Sequence, residues 1–447
     1  MTAARVRQTE ETGVNKMHVR CQSALVLALG MLGAMCCLAQ TPEPSASGAA
    51  SSDFEELPEL RASEILKPEI LKGPRHTVRE SVPTSSGMNQ FVIDSDYGVF
   101  DAEGNEMLLR RIKEVYAIDQ LKSVSKTDQF EQSLMTAAKG PYNAAKNVVQ
   151  DPVGSVSSAG KGLMKFMGRV GQTAKHVAKG TAERPTSESG KTGEDILGYT
   201  KTKKKLAISM GIDPYSTNEV LQKALDDVAW ASWAGGFMFS AATFPISGPA
   251  GAALTATGVS SSIGEMLNEK SPAELKAMNR SALRSMGVNA GDTERFLGNT
   301  AFSPTAQTVF VQNLKSLGGV ANRGAFVHTA AQRSSSEADA VFCVQTAALM
   351  GQLHNGEHPL ARIALLEDFP ICIGKDGTVI AVLQWDYAAW TPRAGAFTEE
   401  LKKLADEPGH NKHLLVAISG QMSPRLQQEL QNRGIAVQDR MNPGPLK

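Results

Sequence analysis

The sequence predicts a helix-dominated chain: mainly α with a small C-terminal α/β domain (α+β overall), and an N-terminal β-hairpin plus helix. Three observations predict it. Leu108, Ile112, Val115, Ile118 and Leu121 recur at three- and four-residue spacing, the period of one helix face. Ser271-Pro272, Ser303-Pro304 and Ser423-Pro424 mark helix starts, because serine accepts from free N–H groups and proline needs no donor in the first turn. Strand-type alternation is confined to residues 76–102 and to the stretch after Ile363.

At 447 residues the chain is too long for one ordinary domain. Lysine plus arginine total 46 and aspartate plus glutamate 46, so the net charge is zero. That excludes the basic excess of a dedicated nucleic-acid binder.

Met17-His18-Val19-Arg20 precedes an uncharged run from Cys21 to Pro42. A short basic region, an apolar heart at Ser23 to Met35 and small residues beyond it make the pattern of a secretory leader over 1–40. Cleavage after Ala39 leaves Gln40 as the mature start; the alternative is an uncleaved anchor, since the run is just long enough to span a bilayer. Cleavage removes Cys21, Cys36 and Cys37 and leaves Cys343 and Cys372. An oxidising compartment would join that pair as a disulfide; the alternative is two buried thiols acting as small hydrophobes.

The Pro/Ser/Ala tract Thr41 to Ser52 opens a disordered linker over 41–75. In 76–131, the alternating segments Thr77 to Val82 and Phe91 to Tyr97 flank the turn Ser85-Ser86-Gly87, a hairpin signature, and the helix 105–124 follows. Asp94-Ser95-Asp96-Tyr97-Gly98 lacks the closing Glu of a calcium loop and reads as turn residues.

Residues 132–205 combine a basic amphipathic segment with a mobile linker. From Gln132 to Ala182, basic residues at 139, 146, 161, 165, 169, 175 and 179 face the single acid Asp151. Lys161, Lys165 and Arg169 share one helical face, with Leu163, Phe166, Met167 and Val170 on the other. Such a helix lies in an anionic lipid surface or packs its apolar stripe on a core.

Residues 206–366 read as a helical domain. Ser216-Thr217-Asn218-Glu219 reads as a capping box for a helix through Leu221, Leu225 and Val228. No charge then occurs from Val228 to Gly264, a run that starts with Trp230 and Trp233. Phe244-Pro245-Ile246-Ser247-Gly248-Pro249 breaks it into two short apolar helices. This hairpin is either buried core or a membrane-inserting element.

In 367–447 the order is hairpin (Ile371 to Ile373 and Thr378 to Gln384), helix (Phe397 to Ala405), strand (Leu414 to Ile418), helix (Pro424 to Asn432) and strand (Ile435 to Val437). That is a small α/β domain.

His354-Asn355-Gly356-Glu357-His358 matches the H-x-x-E-H string of zinc peptidases, in which both histidines share a helical face and the glutamate activates metal-bound water. Gly356 and Pro359 oppose a helix there, so the string reads as a helix-terminating loop. The near-matches to a phosphate loop at Gly154 to Lys161 and Pro185 to Thr192 lack the spacing, the first glycine or a preceding strand.

Asp213-Pro214-Tyr215-Ser216-Thr217-Asn218, Val228-Ala229-Trp230-Ala231-Ser232 and Ser419-Gly420-Gln421-Met422-Ser423-Pro424-Arg425 together resemble stretches of a family of uncharacterised exported bacterial proteins. The resemblance implies export and carries no activity and no catalytic residues.

The expectation is therefore an exported envelope protein, periplasmic or membrane-associated. It is expected to be non-enzymatic, without cofactor, nucleotide or nucleic acid. It would contact a membrane surface or an envelope partner through Lys161, Lys165, Phe166, Arg169, Trp230 and Trp233. The alternatives are a periplasmic zinc-dependent hydrolase using His354, Glu357 and His358, or a soluble periplasmic scaffold.

Overall fold

Ala62, Leu66 and Ile70 are fully buried although they fall in the stretch expected to be linker. The computed structural model describes residues 53–139, 193–236, 261–442 and 444, which belong to one compact unit. Its N-terminal part contains β1 (Glu59–Arg61), α1 (Ala62–Ile65), α2 (Pro68–Leu71), β2 (Lys72–Gly73) and β3 (His76–Val78). After these come β4 (Ser81–Ser85), β5 (Met88–Ser95) and β6 (Gly98–Glu103). These strands form a six-stranded antiparallel sheet in the order β1-β4-β5-β3-β2, with β6 also on β5.

This sheet and a second one near the C-terminus overturn the mainly α expectation; the fold is an α+β mix. The expected hairpin exists as β4 and β5, joined through Ser86 and Gly87. The strands around it were hidden because β1, β2 and β3 have only three, two and three residues, too few for alternation to register.

The helix α3 (Asn105–Val124) matches its expected span, and all five periodic residues are buried. Its first half packs Met107, Leu108 and Ile112 on Phe91 and Ile93 of the sheet. Its second half packs Ile118, Leu121 and Val124 against α4 (Asp128–Lys139), α5 (Gly193–Ser209) and α6 (Glu219–Gly235). One helix thus joins two apolar layers.

The start of α6 differs from the expected capping box. Asn218 is the N-cap, accepting from the N–H groups of Val220 and Leu221. Ser216 is drawn away because its Oγ donates to Glu114 Oε1 at 2.5 Å. Asp213 accepts from Ser303 Oγ at 3.0 Å and Thr305 Oγ1 at 2.7 Å. The Asp213 to Asn218 motif therefore ties α3 to the helices that follow.

Those helices are α7 (Ser261–Glu269), α8 (Pro272–Ser285), α9 (Ala290–Gly298), α10 (Pro304–Ser316), α11 (Gly324–Arg333) and α12 (Glu337–Asn355). Ser271 forms a full capping box with Glu274, and Ser303 caps α10, as the Ser-Pro pairs require.

The C-terminal sheet begins at β7 (Leu360–Leu366), earlier than the expected boundary at 367. It continues with β8 (Phe369–Gly374), β9 (Val379–Leu383), α13 (Pro392–Asp406), β11 (Leu414–Ile418), α14 (Pro424–Asn432) and β13 (Ala436–Gln438). A separate short pair consists of β10 (Tyr387–Ala388) and β12 (Gln421–Met422). The main order is β13-β11-β9-β8-β7, with β11 parallel to both β9 and β13.

Period-2 alternation divides this sheet's side chains cleanly. Cys372, Ile380, Val382, Leu415 and Ala417 face the layer of helices α9 to α12. Ile371, Ile373, Val379, Ala381, Leu383, Val416 and Ile418 face α13 and α14. The result is a three-layer unit with helices on both faces.

Of the two readings of the cysteine pair, the structure has the buried thiols: Cys343 on α12 and Cys372 on β8 are both free and buried. They serve one apolar layer between helix and sheet. Burial raises each thiol to about 12. Both are expected to resist iodoacetamide in the native protein and to react once urea unfolds it, as peptide mass mapping would show. Native-state alkylation of either would contradict this packing.

Candidate functional site

In open α/β sheets, ligands sit outside the carboxyl ends of parallel strands, near helix N-termini. Here the chain leaves β9 and β11 at the same end and enters α13 and α14 through the N-caps Thr391 and Ser423. Neither first turn holds an acid; Arg393 and Arg425 stand there instead. The strands β10 and β12 pair in parallel beside them.

Two distant parts of the chain fill this end. Residues Phe54 and Glu55 form a strap on one part of it. Glu55 N–H donates to Trp390 O at 2.7 Å. Its carboxylate Oε2 accepts from Trp390 N–H at 2.5 Å and from Ser423 Oγ at 2.6 Å. Phe54 stacks on the Trp390 indole at 6.1 Å, and the Arg433 guanidinium lies over the same ring at 4.6 Å. Burial and the nearby Glu55 charge both push the Tyr387 phenol up.

The tip of the β4–β5 hairpin fills the second part. Gly87 O accepts from Asp386 N–H at 2.8 Å and Tyr387 N–H at 3.2 Å. Gly87 has φ +85°, and a Cβ there would meet Trp385 Cγ at 2.4 Å. Only glycine satisfies both demands. Asp386 is 2% exposed, and its Oδ2 accepts from the N–H groups of Asn89 and Asn105, each at 3.0 Å. Burial lifts this carboxyl to about 7, opposed by those two N–H groups and assisted by Glu106 and Glu103. Asp386 thus holds the end of the C-terminal sheet to β5 and to the start of α3.

The expected contact tryptophans lie elsewhere. Trp230 and Trp233 are half-buried on α6, 5.5 Å apart, and both meet Tyr199 of α5 edge-on. Beneath them Asp226 Oδ1 accepts from Tyr199 Oη and Lys203 Nζ, each at 2.5 Å. The neighbouring Asp227 is raised to about 6 by burial, despite Lys223. Lys161, Lys165, Phe166 and Arg169 fall outside the described residues, as does 237–260 of the uncharged run.

The H-x-x-E-H string spans a helix end, not a helix face. His354 is in the last turn of α12, and its Nδ1 accepts from Leu360 N–H at 3.0 Å. Gly356 ends the helix, so Glu357 and His358 lie in the turn beyond it. No group of three or more His, Cys, Asp or Glu placed to hold a metal occurs among the described residues. A pair that no motif announced is Asp292 and His328, with Oδ1 and Nδ1 2.9 Å apart and Arg295 on the same carboxylate oxygen at 3.1 Å.

No family model, curated protein or solved structure matches the chain. The chemistry of the two clusters is therefore read from their geometry. At the sheet end, donors from Trp390 and Ser423 converge on the Glu55 carboxylate of the chain itself. The α5–α6 cluster is a buried ion pair under aromatic rings.

Proposed function

We propose that this is an exported envelope protein that works by contact with an anionic membrane surface, without catalysis, through the basic run 161–179 and the uncharged run 228–264. The observation that supports this reading is where the chain enters and leaves those runs. A Cβ on Gly235, at the end of α6, would meet Ser133 O of α4 at 2.0 Å, so the two backbones touch. A Cβ on Gly198, near the start of α5, would stand 2.6 Å from the Trp233 indole nitrogen. The basic segment departs after α4 and returns at α5, and the uncharged segment departs after α6. The described helices α4, α5 and α6, which flank these runs in sequence, thus pack together in one cluster. Anionic lipid attracts a combination of cationic and apolar sequence through charge and apolar burial together. No helix among the described residues is long and apolar enough to cross a membrane, and surface contact needs none.

The test is co-sedimentation of the full chain with vesicles of anionic phospholipid and, separately, of neutral phosphatidylcholine. Binding is expected only to the anionic vesicles. At about 1 kcal/mol per basic residue near the surface, the triple variant K161E/K165E/R169E should bind roughly 100-fold more weakly. Vesicle binding unchanged by that variant would sink the reading. Retention by envelope protein without lipid binding would replace the membrane with a protein partner.

A further inference from the structure

The end of the C-terminal sheet holds something the proposed membrane contact does not use. We propose that the cleft formed by Trp390, Gly395, Ser423 and Arg433 is a docking site for a peptide with an aromatic residue followed by a carboxylate. Phe54 and Glu55 are its resident occupant, and a partner protein presenting the same pair exchanges with them.

Four observations carry this. The cleft recognises both features of the pair at once. Trp390 and Gly395 receive the Phe54 ring, and a Cβ on Gly395 would already stand 3.1 Å from it. Trp390 N–H and Ser423 Oγ converge on a single carboxylate oxygen. Arg433 lies over Trp390 while pairing with Glu429 and Glu399, and Arg393 and Arg425 stand in the first turns of the two helices where acids are the usual choice. Finally, the chain on either side of the occupant is exposed. Asp53 and Glu56 on either side are exposed, Leu57 is 44% exposed, and the first strand begins at Glu59. A short tethered strap of this kind competes at an effective concentration in the millimolar range, so it suppresses weak ligands and yields to a better one.

The experiment measures a fluorescent peptide of sequence Ser-Asp-Phe-Glu-Glu-Leu-Pro, the sequence of residues 52–58. Anisotropy is followed against the full chain, against its F54A/E55A variant and against E55Q. The double variant, whose cleft is vacated, should bind the peptide about tenfold or more tightly than the wild type. E55Q should fall between them, and it serves alone if circular dichroism shows the double variant unfolded. A peptide with its first glutamate changed to glutamine should bind about tenfold more weakly, through loss of a charge-assisted hydrogen bond. No saturable binding to a natively folded variant would overturn the proposal, as would equal binding by wild type and variant. Dimers of the wild type that dissociate on adding peptide would overturn the partner assignment, making a second copy of this chain the occupant. Vesicle binding has its own readout, so failure here leaves the membrane proposal separately testable.

Discussion

Replacing Arg111 with alanine is expected to lower the free energy of unfolding by about 3 kcal/mol, the cost of leaving the buried Glu114 carboxylate without its cation while Glu337 keeps Arg110. Arg111 Nη1 donates to Glu114 Oε2 and Nη2 to Glu337 Oε2, both at 2.8 Å. The Glu114 side chain is 1% exposed and the Glu337 side chain 14%. Burial pushes the Glu337 carboxyl up, and the guanidiniums of Arg110 and Arg111 more than reverse this, leaving it below the usual range. Its contribution to stability is thus present above the ordinary glutamate pKa and lost as the pH falls through the lowered one. Thr217 Oγ1 also donates to Glu337, so the site joins α3, the loop before α6 and the start of α12. Urea titration at neutral pH measures the effect. A loss under about 1 kcal/mol would mean that solvent already serves these carboxylates.

Asp386 should separate charge from hydrogen bonding. Asp386→Ala leaves the N–H groups of Asn89 and Asn105 without their acceptor inside the protein, at an expected cost of about 3 kcal/mol. Asp386→Asn keeps an acceptor oxygen and removes the ionisable group. The native pKa of about 7 lies above the ordinary aspartate range. The folded state therefore holds the proton more tightly than the unfolded chain. The Asp386 contribution is fully present below about pH 4, declines as the pH rises towards 7, and is level above it. The wild type should lose on the order of 4 kcal/mol across that window relative to D386N. Urea midpoints at pH 5 and pH 8 test this; parallel curves for the two proteins would show that Asp386 is ionised throughout.

How far the sequence reveals this fold depends on the range of the contact. The span of α3, the caps at Ser271, Ser303 and Ser423, the β8–β9 hairpin and the final strand–helix–strand are local, and periodicity or a capping serine discloses each. The break in the H-x-x-E-H string was equally legible from Gly356 and Pro359. Ser216 misled because two side chains competed for one helix start and Glu114, far away in sequence, took one of them. Counting thiols could not choose between a disulfide and two buried thiols for Cys343 and Cys372, because it says nothing of distance. Asp386 and Glu55 gave no signal at all. A lone Asp after a strand and a lone Glu in an acidic stretch acquire their roles only when the two ends of the chain meet. A mismatch of composition was still visible there: first turns carrying arginine where acid is the usual choice.

Those meetings set the order in which the molecule can be completed. Asp386 is separated from Asn89 by 297 positions and Trp390 from Glu55 by 335. Loop closure over such distances is slow, and none of it can begin before the C-terminal strands exist. During synthesis the N-terminal sheet emerges first but keeps unmatched N–H groups at Asn89 and Asn105 until residues 385–390 follow. A ribosome-bound chain is thereby held short of its final state until residues 385–390 have emerged, and a truncation just before Trp385 would leave the N-terminal sheet without its partner at Asn89 and Asn105.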